Sequence, residues 1–213
     1  MTKTLGIIGA GKVGTTLGRL ALATGWEVLI SASPTRALQA LVVETMLPGA
    51  RLASEAEVVA GSDVVVLAVP LSKVGTVDLA ALSGKVVVDA MNHWYPVDGA
   101  HDDVADAPSS SHWVQGLNPS MRLVKSLNHL GYHDLENDAR PAGHPERRAV
   151  AAASDDAGAR ATVAALLDDL GFDPVELPFA DGRHLEGDGP VFGRWVDAPG
   201  LLAAVERSRA RAA

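Results

Sequence analysis

Three glycines open the chain's most informative stretch, Gly9-Ala10-Gly11-Lys12-Val13-Gly14, which follows the apolar residues Leu5-Gly6-Ile7-Ile8. A strand that turns into a helix through such a loop offers phosphate a row of backbone N–H groups and the positive end of a helix dipole. In that reading Gly9 permits the tight turn, Gly11 lets the pyrophosphate reach the backbone, and Gly14 lets helix and sheet pack closely. The pattern also arises by chance in glycine-rich chains. The strand before it and the helical spacing after it, from Lys12 to Thr24 with Leu17, Leu20 and Leu22, make it a seat for a dinucleotide.

The second strand, Trp26 to Ile30, decides which dinucleotide. An NAD site places Asp or Glu at its end to accept from the ribose 2′-hydroxyl. Here the run is Ile30-Ser31-Ala32-Ser33-Pro34-Thr35-Arg36, with no carboxylate. The hydroxyls of Ser31, Ser33 and Thr35 and the guanidinium of Arg36 suit a 2′-phosphate, and the expected cofactor is NADP(H). Ser33 or Thr35 can equally cap the next helix, and the two roles coexist.

The elements that position these residues read as a Rossmann-type, doubly wound α/β fold: a mostly parallel sheet with a smaller α/β continuation. Val64 to Val69 and Val86 to Val88 are continuous apolar runs, the mark of strands covered on both faces. Pro34 suits the first turn of a second helix, and Ser54 caps a short third one. Residues 93–111, with Pro96, Gly99, Pro108 and three serines, read as a long surface loop. A helix near Ser111 to Leu117, a strand at Arg122 to Leu127, a short helix and a strand at Ala149 to Ala153 follow. A helix over 157–170 is started by Asp155 and Asp156 and stopped by Gly171. Val175 to Leu177 is the last strand, 178–200 is mostly loop, and a helix from about Gly200 to Arg211 ends the sequence. The division is residues 1–92 as the dinucleotide half, 93–193 as the second half with an acceptor cleft, and 194–213 as a terminal helix.

Composition narrows the field. The absence of cysteine excludes disulfides, thiolate metal sites and thiol nucleophiles. A formal net charge of −8 argues against nucleic acid or an acidic membrane as partner. No apolar run reaches the roughly 18–20 residues that span a bilayer, and residues 1–9 lack a secretory signal's pattern, so a cytoplasmic location is expected. His101, Asp102, Asp103 and Asp106 fit no zinc spacing, and no metal is expected. Neither a nucleophile elbow nor a G-x-x-x-x-G-K-[ST] loop is present, leaving oxidoreductases among enzymes.

The glycine loop, Ala68-Val69-Pro70, Asp89-Ala90-Met91-Asn92, Val124-Lys125-x-x-Asn128, Ser154-Asp155-Asp156, Asp168-x-Leu170-Gly171-Phe172 and Gly182-Arg183-x-Leu185-Glu186 together resemble the NADPH-dependent coenzyme F420 reductase family, over about residues 4–193. The resemblance implies a deazaflavin lying across the nicotinamide in a cleft between the two halves, with Val69 and Pro70 supporting the nicotinamide ring. The family's Ser-Arg pair after the second strand falls on Ala32 and Ser33 here. His93-Trp94-Tyr95-Pro96 follows Asn92, an added aromatic cluster that can alter or block the acceptor's place.

Hydride transfer between stacked planar rings needs proximity and alignment rather than an acid or base, and no catalytic side chain stands out. Asn92 is read either as a hydrogen-bond partner of the carboxamide or ribose, or as a loop cap. Lys125 either holds an anionic acceptor or lies at the surface. His93, Arg122, His129, His133 and Arg140 are expected to be solvated, and Arg183 and Glu186 either close over the acceptor or pair with each other. The expected activity is hydride transfer between NADPH and F420 or a flavin-like small-molecule acceptor. A non-catalytic NADP-binding sensor or partner-binding module is the alternative. Leu201, Leu202 and Val205 on the last helix can pack on the same chain or on a second copy in a homodimer.

Overall fold

The computed structural model describes residues 2–32, 39–100 and 102–212. Among them, eight strands form one sheet: β1 (Thr4–Ile8), β2 (Glu27–Ser31), β3 (Arg51–Leu52), β4 (Val64–Leu67), β5 (Val86–Asp89), β6 (Arg122–Ser126), β7 (Ala149–Ala153) and β8 (Asp173–Leu177). Their order is β3-β2-β1-β4-β5-β6-β7-β8. Every pairing is parallel except that of β6 with β7. The expected Rossmann-type, mostly parallel architecture is therefore present. β5 pairs with β6 across residue 92, so one sheet carries both halves of the chain.

The helices are α1 (Lys12–Ala23), α2 (Gln39–Met46), α3 (Glu55–Gly61), α4 (Tyr95–Asp98), α5 (Asp102–Ala105), α6 (Ser110–Leu117), α7 (Tyr132–Asp138), α8 (Ala157–Asp169) and α9 (Ala198–Ala212). The continuous apolar strands bury both faces, as a layered α/β fold demands. Leu5, Ile7, Val64, Val66, Val88 and Val124 pack with α1 and α8 residues such as Leu17, Ala21, Val163 and Leu166. Ile8, Val65, Leu67, Val87 and Leu123 face the other way, onto Val58 and Val59 of α3 and Val114 of α6. A third cluster joins β7 and β8 to Leu201 and Val205 of α9, so those two residues pack on their own chain while Leu202 remains exposed.

Local chemistry explains the helix ends. Ser54 and Glu57 form a reciprocal capping box at α3. The Asp156 carboxylate accepts from the N–H of Ala159 at 2.9 Å and caps α8, while Gly171 takes φ +98° just past its end.

Two expectations need correcting. Residues 93–111 are not one long loop, because α4, α5 and the start of α6 lie within them. Residues 178–200 contain a 3₁₀ segment at 179–185 and the first three residues of α9. Four-residue helices are too short to show a period, and the serines read as loop residues are N-caps or first-turn residues of α6. The expected helix start at Pro34 lies outside the described residues. No helix among the described residues is long and apolar enough to cross a membrane.

Candidate functional site

The glycine loop joins β1 to α1 at the carboxyl edge of the sheet, and its three glycines differ in what surrounds them. Gly9 has φ +118°, and a Cβ there would collide with the carbonyl oxygen of Ala68. A Cβ on Gly14 would collide with the carbonyl oxygen of Gly9 and stand 3.0 Å from Ile7 Cγ2. Those two glycines are required by the protein's packing against itself. Gly11 is the reverse: nothing lies within 4 Å of its Cβ position. It is the N-cap of α1, contributes no side-chain cap, and no acidic residue sits in the helix's first turn. The N–H groups and dipole of a 12-residue helix thus face open space without a competing carboxylate, a cradle suited to pyrophosphate. Ala10 and Val13 pack partly on the core beneath, and Lys12 is exposed beside Gly11.

The remaining candidates line the same edge. Ser31 ends β2, is buried, and its carbonyl accepts from Gly9 N at 3.1 Å. Ser33, Thr35 and Arg36 lie outside the described residues. Ala68 N donates to Ile8 O at 2.9 Å, which places Val69 and Pro70 directly beside the glycine loop. Pro70 is exposed and starts a 3₁₀ segment at 71–76. Asn92 follows β5, and its amide is engaged with Asn128: its Nδ2 donates to Asn128 O at 2.7 Å, and Asn128 Nδ2 donates to its Oδ1 at 2.9 Å. Asn128 Nδ2 also donates to Leu185 O at 2.7 Å. Asn92 therefore ties the ends of β5 and β6 together, a role the sequence reading did not include.

Beneath this edge lies a buried ionic network. Lys125 and Asp89 occupy the same register on adjacent strands, and both are fully buried. Lys125 Nζ lies 3.3 Å from Asp89 Oδ2, donates to Met91 O at 2.5 Å and stands 3.8 Å from Glu186. Ser111 Oγ donates to Asp89 at 2.6 Å, and Ser110 Oγ donates to Glu186 at 2.7 Å. Lys125 is thus neither a surface lysine nor free to hold an acceptor, and Glu186 turns to Ser110 and Lys125 instead of pairing with Arg183. The missed signal was a charge of opposite sign near the carboxyl end of each of two neighbouring strands, Asp89 in β5 and Lys125 in β6. Next to the network, Leu127 adopts φ +65°, a left-handed conformation rare for leucine.

The aromatic turn after Asn92 projects outward. Trp94 and Tyr95 are 52% and 68% exposed. Asp98 holds their turn in place, accepting from Ser72 N at 2.9 Å and Trp94 N at 2.7 Å. Burial opposes ionisation of Asp98, but those backbone donors outweigh it and keep its carboxyl below the usual range. His93 is not solvated as expected; its Nε2 lies 3.0 Å from Gly99 O, inside the turn.

Of the other residues expected to be solvated, Arg122 and Arg140 have protein partners, while His133 is exposed as expected. Arg122 makes a two-pronged pair with Asp156 at 2.7 and 3.1 Å, Arg140 donates to Asn137 O and Ala139 O, and the His133 ring centroid lies 4.1 Å from that of Tyr132. His129 departs furthest, being 1% exposed. Its Nε2 lies 3.5 Å from Ala151 N, and its Nδ1 has no hydrogen-bond partner among the described residues. Burial first, then Arg148 and Lys125, push its pKa down to about 3.

The sign of the linkage follows. The unfolded chain protonates His129 as pH falls through about 6.5, while the folded chain stays unprotonated until about 3. Stability is therefore lost across that window as pH falls, by up to about 1.4 kcal/mol per unit. Urea melts at pH 7 and pH 5 are expected to show wild type losing about 2 kcal/mol more than His129→Gln. Equal losses in the two proteins would remove His129 as the cause.

Comparison with known proteins accords with this arrangement. Residues 4–93 match the family model described as NADP oxidoreductase, coenzyme F420-dependent. A hypothetical protein from Sinorhizobium meliloti superposes with a TM-score of 0.76 at 26% identity, over 92% of this chain and 95% of that one. A protein from an Arthrobacter species, provisionally named as an F420-dependent NADP reductase, gives 0.67 at 26% identity, over 84% and 86% of the two chains. A Myxococcus stipitatus imine reductase variant in complex with NAD+ shares the fold, with a TM-score of 0.62 at 17% identity; this chain covers 62% of its length. No curated protein matches the sequence significantly. The similarity to the F420-dependent NADP oxidoreductase family model thus lies in residues 4–93, the stretch that carries the glycine loop, and it supports NADP-linked oxidoreduction.

Proposed function

We propose that the protein transfers hydride between NADPH and a planar deazaflavin (F420) or flavin-like acceptor. The observation that carries this reading is the glycine cradle, sealed at Gly9 and Gly14 and open at Gly11, set beside the edge where β4, β5 and β6 end. The backbone of Gly9, Ala10, Gly11, Lys12, Val13 and Gly14 would hold the pyrophosphate, and Ser31, Ser33 and Arg36 would take the 2′-phosphate. When bound, the nicotinamide supplies a hydride carrying two electrons, and the reduced acceptor takes its remaining proton from solvent. Val69 and Pro70 would support the nicotinamide ring. Asn92, locked to Asn128, keeps the ends of β5 and β6 at fixed spacing, so the protein would set the alignment of the two rings in advance. Trp94 and Tyr95 present exposed aromatic surface at the same edge. The partner is a small molecule, the location is the cytoplasm, and nucleic acid and membrane have no part.

The test is spectroscopic. Adding NADPH to protein and oxidised F420 should bleach the deazaflavin band, and NADH should do so less well, with Arg36→Ala narrowing that difference. Tight NADPH binding without turnover of deazaflavin, flavin or ferric chelates would replace this reading with that of a non-catalytic NADP sensor.

A further inference from the structure

The glycine loop has a neighbour from the second half of the chain. Lys12 Nζ donates to Tyr132 Oη at 3.1 Å and lies 4.8 Å from the centre of the tyrosine ring. Among the described residues Lys12 has no carboxylate partner. In a chain with 26 acidic side chains against 18 lysines and arginines, an ammonium held only by a neutral phenol is a cation kept available for an anion. It stands at the first position of α1, next to the open space over Gly11.

Tyr132 is held firmly in place. It begins α7, which packs on α1 and is joined to it by Arg19 and Glu136 at 3.1 Å. Behind it Leu135 is fully buried, and the buried Arg148 reaches Asp134 at 3.3 Å and Asp138 at 2.7 Å. The phenol oxygen accepts from Lys12, so its own O–H is left to donate, and the adjacent ammonium makes it a better donor.

We propose that Tyr132 is a cofactor-binding residue. With Lys12 it forms the outer jaw of a pyrophosphate clamp whose inner jaw is the glycine loop. The ammonium and the phenol O–H both donate to phosphate oxygens. A residue of the second half thereby makes dinucleotide binding depend on how the two halves are packed. This inference rests on the dinucleotide reading above and adds to it a contact from outside residues 4–93.

The experiment measures binding of NADPH and of adenosine 2′-monophosphate, which lacks a pyrophosphate, to wild type, Tyr132→Phe and Lys12→Met. Tyr132→Phe keeps the ring and removes only the hydroxyl. Each variant should weaken NADPH roughly tenfold, as loss of a hydrogen bond to a charged group does. Affinity for adenosine 2′-monophosphate and the melting temperature without ligand should not change. Unchanged NADPH affinity in Tyr132→Phe, or equal loss for both ligands, would overturn the clamp while leaving the dinucleotide site intact. A wild-type protein that binds neither NADPH nor NADH would overturn the dinucleotide reading and the clamp with it.

Discussion

Lys125→Met is expected to lower the unfolding free energy by about 3–5 kcal/mol, because it leaves Asp89 charged, fully buried and without its cation. For a chain of this size that corresponds to a fall in melting temperature of roughly 10 °C. Ser111 continues to donate to Asp89, but one neutral hydrogen bond does not replace a buried countercharge. The double variant Asp89→Asn/Lys125→Met should recover most of the loss, since it removes both charges together. Thermal melts of the two single variants and the double, without ligand, complete the cycle. Additive losses would mean that the pair does not interact, and the network would then have to be read as two independent packing sites.

Gly14→Ala is the second large effect, and Gly11→Ala is its control. The new methyl at position 14 meets backbone, the carbonyl of Gly9, and that contact cannot be relieved by a rotamer change. The loop must shift, and the expected results are a loss of about 1–3 kcal/mol of stability and NADPH binding weaker by about a hundredfold. At position 11 a methyl meets nothing of the protein, and φ −84° suits any residue. Stability should hold there while affinity falls, because the methyl stands where the pyrophosphate would approach. Dinucleotide titrations beside urea melts separate the two. Matching stability losses in both variants would contradict the division of labour among the glycines.

Most of the sheet was legible in the sequence because its signals are local. β7 falls on the five residues Ala149–Ala153 that the apolar run marked, and the glycine hexamer turns from strand to helix where its spacing requires. β3 was missed because it is two exposed residues held by pairing with β2. The site was less legible, since its polar residues find partners far along the chain. Asp89 and Lys125 are 36 residues apart, as are Asn92 and Asn128. Histidine carries no pattern that distinguishes a solvated ring from His129, which is buried by the folding of β7 against it. The lysine in the glycine loop was visible; its phenol partner was not, because helix packing alone brings Tyr132 there.

The turn at α4 has no buried residue of its own and is fastened to the rest of the protein largely through the Asp98 carboxylate. Its rings can be exchanged at little energetic cost, since exposed positions seldom carry more than about 0.5 kcal/mol. The cofactor seat, by contrast, is written in backbone and collides with almost any change at Gly9 or Gly14. Inheritance can therefore re-letter the short aromatic turn while the glycine loop stays fixed, so that under the proposed hydride transfer one scaffold would diversify in its acceptor and keep its nucleotide.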